Sequence, residues 1–300
     1  DYITSATAAG AYNEPDAIDV TVAFTEPVTC GGSITVTFDT GGTAVIGAFG
    51  PSSIANGTYT VGAGHNSTRL QETLIGAVGA VTDQAGNAAV IALPANTIYS
   101  SMIIVIDTTA PTINSIYGTS GAFNQGQTLN FTVEFSEGVT LTGGNILLAM
   151  DTGGTAVISS CPGLNTPTAS YTVGAGENTN DLTVNPGGIS LSAGSLTDEA
   201  GNPADMTVPP SNLGVTSNIV VDTAAPSLAS ISSSMMGSYG LGSTIFMDVN
   251  FTEPVTLAGT LELILDTGDV VSVTGSYPTT MLSGSFTVGA GDNSPDLTVS

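Results

Sequence analysis

The segment Phe24-Thr25-Glu26-Pro27-Val28-Thr29 returns as Phe135-Ser136-Glu137-Gly138-Val139-Thr140, and again as Phe251-Thr252-Glu253-Pro254-Val255-Thr256. The steps are 111 and then 116 residues. A repeat of that size is a whole domain, not a short solenoid turn. Other pieces keep the same step. Asp39-Thr40-Gly41-Gly42-Thr43-Ala44-Val45 is repeated identically from Asp151 to Val157, and loosely from Asp266. Tyr59-Thr60-Val61-Gly62-Ala63-Gly64 recurs from Tyr171, and once more with Phe286 leading. Thr82–Asn87 recurs as Thr197–Asn202, and Ile104–Pro111 as Ile219–Pro226.

Within each repeat the apolar residues alternate. Ile18, Val20, Val22 and Phe24 are matched by Leu129, Phe131, Val133 and Phe135, and by Ile245, Met247, Val249 and Phe251. A second set is Ile34, Val36, Phe38, then Ile146, Leu148, Met150, then Leu261, Leu263, Leu265. Period two with one buried face predicts sandwich strands. Gly, Pro, Asn and Asp clusters punctuate them. No segment shows a helical period. The expected fold is all-β, a tandem of immunoglobulin-like β-sandwich domains joined by short linkers.

Composition narrows the function. The 300 residues carry one Lys or Arg, Arg69, against 25 acids, for a formal charge of -24. Charged residues are only 9%, so the imbalance comes from missing bases. A nucleic-acid binder needs clustered Lys and Arg, and so does a polybasic membrane contact. Both are excluded. No apolar run is long enough to insert in a membrane. One His and no Trp leave little for His-based catalysis or for sugar stacking on Trp. The chain begins with Asp1 and shows no signal peptide, so it is expected to be processed or part of something longer.

The Asp-Thr-Thr-Ala-Pro and Asp-Thr-Ala-Ala-Pro pieces mark the boundaries, because Pro cannot donate to a strand ladder. They predict domains at 1–106, 107–221 and 222–300, with two or three residues between sandwiches. The third repeat stops before the counterpart of residues 186–221. Two readings are open. Either the 300-residue chain ends early, or another subunit supplies the missing strand. No spare N-terminal extension is present to act as donor.

Taken together, these motifs resemble bacterial Ig-like tandem repeats of large secreted and surface proteins, such as the extender repeats of biofilm-associated and repeat-in-toxin-type adhesins. The resemblance covers nearly the whole chain. It implies an extracellular, cell-surface stalk or extender, with calcium at some domain joints. The chain has no Lys. Lys–Asn cross-links of the kind found in some pilin domains are therefore excluded within it.

The sequence also places a candidate site. If the strands run alternately down and up, three segments meet at one end of each sandwich. One carries Glu26, Glu137 or Glu253. Another carries Asp83 and Asn87, or Asp198 and Asn202. The third is the incoming linker, with Asp107 or Asp222. Calcium takes six to eight such oxygens. The alternative is that these residues only close Asx-type turns. A second acidic cluster is expected at the opposite end. It comprises Asp151, Glu177 and Asp181 in repeat 2, and Asp266, Asp292 and Asp296 in repeat 3. Repeat 1 keeps Asp39 but has His65 and Arg69 there, so Arg69 is expected either to replace a cation by pairing with Asp39 or the next domain, or to be drift on a loop. Cys30 and Cys161 are expected as buried thiols, or as partners in a bond between chains or folded-over repeats. Asn56, Asn66, Asn130 and Asn250 fall in glycan-acceptor patterns that this composition yields by chance.

The expected function is that of a non-enzymatic structural segment of a surface filament, stalk or adhesin. Its expected partners are neighbouring repeats or further copies of the same protein. Recognition of a glycan or cell-surface receptor is the alternative, as is service as accessory domains of a secreted enzyme.

Overall fold

The computed structural model describes residues 1–275 and 278–300. In repeat 1 the long strand Ala17–Cys30 lies between Tyr2–Thr4 and Phe49–Thr60. The sheet continues through Thr43–Ile46 and Ser33–Phe38 to Glu72–Val78. A single residue pair, Ala44 with Tyr59, joins the two halves of this sheet. The alternating residues of both halves, among them Ile18, Val20, Ile34 and Val36, fill one shared core. That is a sandwich made from one sheet, and the period-two pattern decides which side chains enter it.

Repeat 2 repeats the plan. Its sheet runs Ile113–Gly118, Thr128–Phe135, Thr168–Thr172, Thr155–Ile158, Ile146–Met150, Val184–Leu191, joined in the middle by Val157 and Ser170 alone. In repeat 3 the halves are separate sheets. One holds Leu228–Ser232, Thr244–Val255 and Thr279–Thr287, the other Leu261–Ile264 and Val270–Val273. Ile245, Met247 and Val249 from one meet Leu263, Val271 and Val273 from the other. The chain is an all-β tandem of Ig-like sandwiches with short linkers.

In the first two repeats the last strand turns back to an early one. Ile104–Ile106 pairs in parallel with Gly10–Tyr12, and Ile219–Val221 with Gly121–Phe123. Just before each lies a one-turn helix, Ile98–Ser101 or Leu213–Thr216. One turn is too short to show a helical period in sequence.

The repeated Phe-x-Glu motif differs from its expected form. Glu26 and Glu253 do not sit in loops between strands. They lie within the continuous strands Ala17–Cys30 and Thr244–Val255, at register shifts between Ala23 and Val28 and between Asn250 and Val255. A bulge bends the strand without ending it. In repeat 2 the chain does break there, between Thr128–Phe135 and Val139–Thr142. Gly138 replaces Pro27 and Pro254 at that break. A Cβ on Gly138 would come within 2.8 Å of the Gly163 carbonyl oxygen, so only glycine admits the neighbouring strand Pro162–Leu164.

Buried apolar residues gather in three separate cores, one per repeat. By compactness the chain forms two units, Asp1–Thr223 and Ala224–Ser300. Cys30 and Cys161 are free, buried thiols, each in the core of its own repeat.

Candidate metal centre

The linker after repeat 1, residues 107–112, is held from both sides. The Thr108 amide donates to Asn66 Oδ1 of repeat 1 at 2.9 Å. From repeat 2, Asn202 Nδ2 donates to the Asp107 carbonyl at 2.9 Å, and the Asp205 amide donates to the Pro111 carbonyl at 2.8 Å. A short segment with its backbone groups taken up in this way has few conformations left.

Asp198 and Asn202 form a closed turn beside it. The Asn202 amide donates to Asp198 Oδ1 at 2.9 Å, and Asn202 Nδ2 to Asp198 Oδ2 at 2.8 Å. Both side chains are buried. Glu137 comes from the break between Thr128–Phe135 and Val139–Thr142. The structure brings carboxylate oxygens of Asp107, Glu137 and Asp198 within 4.8 Å of one another. Three segments distant in sequence thus meet at one place. Among the described residues no other three acidic, His or Cys side chains come so close. Burial, and then the charges of Asp107 and Asp198, push the Glu137 carboxyl above its ordinary range. No Lys exists to offset these charges. The one Arg, Arg69, lies over the Tyr99 ring within repeat 1.

The donor set fits a hard divalent cation. Carboxylate oxygens and backbone carbonyls are the ligands calcium takes. Close like charges also raise the free energy of the empty site, and a cation removes that cost.

The other sequence-predicted residues are not members of this cluster. Asp83 and Asn87 make the same turn in repeat 1, with bonds of 2.7 Å from both Asn87 nitrogens. Those bonds hold the Asp83 carboxyl below its ordinary range. Glu26 is exposed on the bulge. Asp222 belongs to the first compact unit and Glu253 to the second.

The carboxylate oxygens of Asp151, Glu177 and Asp181 do not all lie within 4.8 Å of one another. Asp151 accepts from Thr179 Oγ1 at 2.8 Å and from the Thr183 amide at 3.1 Å. Glu177 accepts from the Tyr171 hydroxyl and the Gly174 amide. Asp181 is exposed. Asp151 and Glu177 hold turns. Asp39 does likewise, accepting from Ser67 Oγ at 2.7 Å and the Gln71 amide at 3.1 Å. In repeat 3, Asp266 accepts from Ser294 Oγ at 2.6 Å and Asp292 from the Gly289 amide.

Arg69 does not pair with Asp39. Its guanidinium lies 4.6 Å from the centroid of the Tyr99 ring, and Nε donates to the Met102 carbonyl at 3.4 Å. This cation–π contact satisfies the charge inside repeat 1. His65 Nδ1 stands where Glu177 stands, 3.0 Å from the Gly62 amide and 2.9 Å from the Tyr59 hydroxyl.

Glu72 was not singled out from the sequence. It is a buried acid whose two oxygens accept the Ile98 and Tyr99 amides at the start of the one-turn helix. Helix starts leave such amides without partners, and Asn212 serves the second repeat's helix.

No protein-family model matches the chain, and no curated protein matches it. Among solved structures, a crystal structure of the I9–I11 tandem from titin is 9% identical over 97% of this chain and 91% of that one, with a TM-score of 0.28. Among the described residues, no helix is long and apolar enough to cross a membrane.

Proposed function

We propose that this chain is a non-enzymatic structural spacer, a tandem Ig-like segment of an extracellular surface filament, stalk or adhesin, stiffened at its first joint by calcium. The observation that carries the reading is the meeting of Asp107, Glu137 and Asp198 at a linker already bonded to both flanking repeats. Asp107 belongs to the linker and the other two to repeat 2. A cation held by all three ties the linker to the sandwich that follows. When bound, it supplies charge neutralisation and a fixed joint. The chain itself supplies the turn that presents Asp198 and the bond from Asn202 to the Asp107 carbonyl.

The repetition supports the same reading. A spacer works through length and stiffness, and recurring sandwiches deliver both.

The test is a thermal melt in EDTA and again in millimolar calcium. A cation that binds only the folded chain raises the midpoint by mass action. The expected result is a clear rise that Asp107→Asn abolishes. An unchanged midpoint in the parent chain would overturn the calcium reading.

A further inference from the structure

The last strands of repeats 1 and 2 fill matching slots. One wall is the parallel partner, Gly10–Tyr12 or Gly121–Phe123. The opposite wall is an Asn-[Ser/Thr]-x-x-Leu loop. Ser67 and Ile106 exchange two backbone bonds of 2.8 Å, and the Leu70 amide donates to the Ile104 carbonyl. Thr179 and Val221 make the same exchange, and the Leu182 amide donates to the Ile219 carbonyl. The inserted Ile104, Ile106, Ile219 and Val221 are at most 1% exposed.

Repeat 3 has both walls. Gly237-Ser238-Tyr239 stands for Gly121-Ala122-Phe123, and Asn293-Ser294-Pro295-Asp296-Leu297 for Asn178–Leu182. Between them lies an open groove of about 470 Å³, with Ile245, Met247 and Phe286 lining it. No strand of the described residues occupies it. Leu297 is only half-buried there, whereas its counterparts Leu70 and Leu182 are 1% and 0% exposed.

We propose that this groove binds one extended peptide strand of the Ile-Val-Val-Asp kind, supplied from outside residues 1–300. The two filled slots in the same chain define residue type, direction and register. In repeat 2 Ile219 lies opposite Gly121, and Val221 opposite Phe123. The incoming strand therefore runs parallel to Gly237–Tyr239, with its first apolar residue at Gly237 and its third at Tyr239. These two branched side chains enter the groove, and the middle one faces out. Backbone bonds on both sides give affinity, and the apolar floor selects the sequence.

The probe is a labelled peptide of residues 217–223, Ser-Asn-Ile-Val-Val-Asp-Thr, titrated into the 300-residue chain. Binding is read by fluorescence anisotropy, and its place by amide hydrogen exchange. The expected result is saturable binding that slows exchange at Gly237–Tyr239 and Ser294–Leu297. A peptide carrying Ile219→Asp and Val221→Asp binds at least tenfold more weakly. Leu297→Asp in the chain has the same effect; its half-exposed position lets the fold survive, which circular dichroism checks. Absence of binding, equal binding of the doubly substituted peptide, or protection elsewhere in the chain would each overturn the proposal.

Discussion

Glu177 holds the Tyr171 hydroxyl and the Gly174 amide at the same time. The third repeat shows what this pair is for. There Phe286 replaces Tyr171 and Asp292 replaces Glu177. With no hydroxyl to reach, the shorter acid caps only the Gly289 amide. In repeat 1 His65 performs both contacts. The acid tracks the ring, so the acidic residue at this position is a turn cap for its own repeat.

Tyr171→Phe is therefore expected to destabilise the chain by about 1–2 kcal/mol, since the part-buried Glu177 loses a donor. Adding Glu177→Asp, which reproduces the third repeat, is expected to recover part of the loss. Denaturant melts of the two single variants and the double variant check the coupling.

The same pair sets a high-pH limit. Burial, and then the bond to Glu177, push the Tyr171 hydroxyl up to about 12. The folded state favours the neutral phenol. Its stabilisation is complete below the ordinary value of 10.0 and is lost as pH rises towards 12. An ultraviolet titration is expected to show a late tyrosine ionisation, together with unfolding. Tyr171→Phe removes that late step.

At the first joint the sign of a substitution depends on the cation. In EDTA, Glu137→Gln is expected to raise the midpoint by about 2 °C, because it removes a repelled charge. The folded Glu137 carboxyl is raised above its ordinary value of 4.5. The contribution of Glu137 to metal-free stability therefore falls as pH rises above that value. In millimolar calcium the same substitution is expected to lower the midpoint, since a ligand is lost. Paired melts show whether the sign inverts.

Asn202→Ala is expected to cost about 2 kcal/mol, because it removes the side-chain donor to the buried Asp198 Oδ2 and frees the Asp107 carbonyl, while the residue's backbone amide still donates to Asp198 Oδ1. Asn87→Ala removes only the matching Nδ2 bond to Asp83 Oδ2, at an exposed place, and is expected to cost less than half as much. The ratio of the two, from chemical denaturation, separates a joint residue from a turn residue.

Trypsin has one place to cut. The Arg69 side chain lies over Tyr99, and the adjacent Leu70 is buried with its amide bonded to Ile104. The folded chain is expected to survive digestion that splits the unfolded chain into residues 1–69 and 70–300. Gel electrophoresis before and after heat treatment distinguishes the two states.

Much of the fold was legible because the repeats say the same thing three times. Period-two positions such as Ile18, Leu129 and Ile245 all enter cores. The meeting of Asp107, Glu137 and Asp198 was also legible, because strand direction alone puts their segments at one end of the sandwich. The bulge at Glu26 was not. Whether a strand bends through Pro or stops depends on how close a neighbour's backbone comes, as Gly138 and Gly163 show. Glu177 could not be assigned one role from sequence, because a carboxylate looks alike whether it awaits a cation or caps a turn. The exchange of Tyr for Phe beside the exchange of Glu for Asp was the available signal. Glu72 carried none, since its partners are backbone amides contributed by a helix 26 residues away.

The parallel pairing of Gly121–Phe123 with Ile219–Val221 has a mechanical consequence. The two strands sit near opposite ends of their repeat's sequence, yet side by side in space. Tension along the polypeptide drags them in opposite directions along their own lengths. The bonds across the pair are then loaded together, in shear. They do not open one after another, as they would if the strands were peeled apart from an end. A repeat closed this way yields to pulling only when several bonds fail at once.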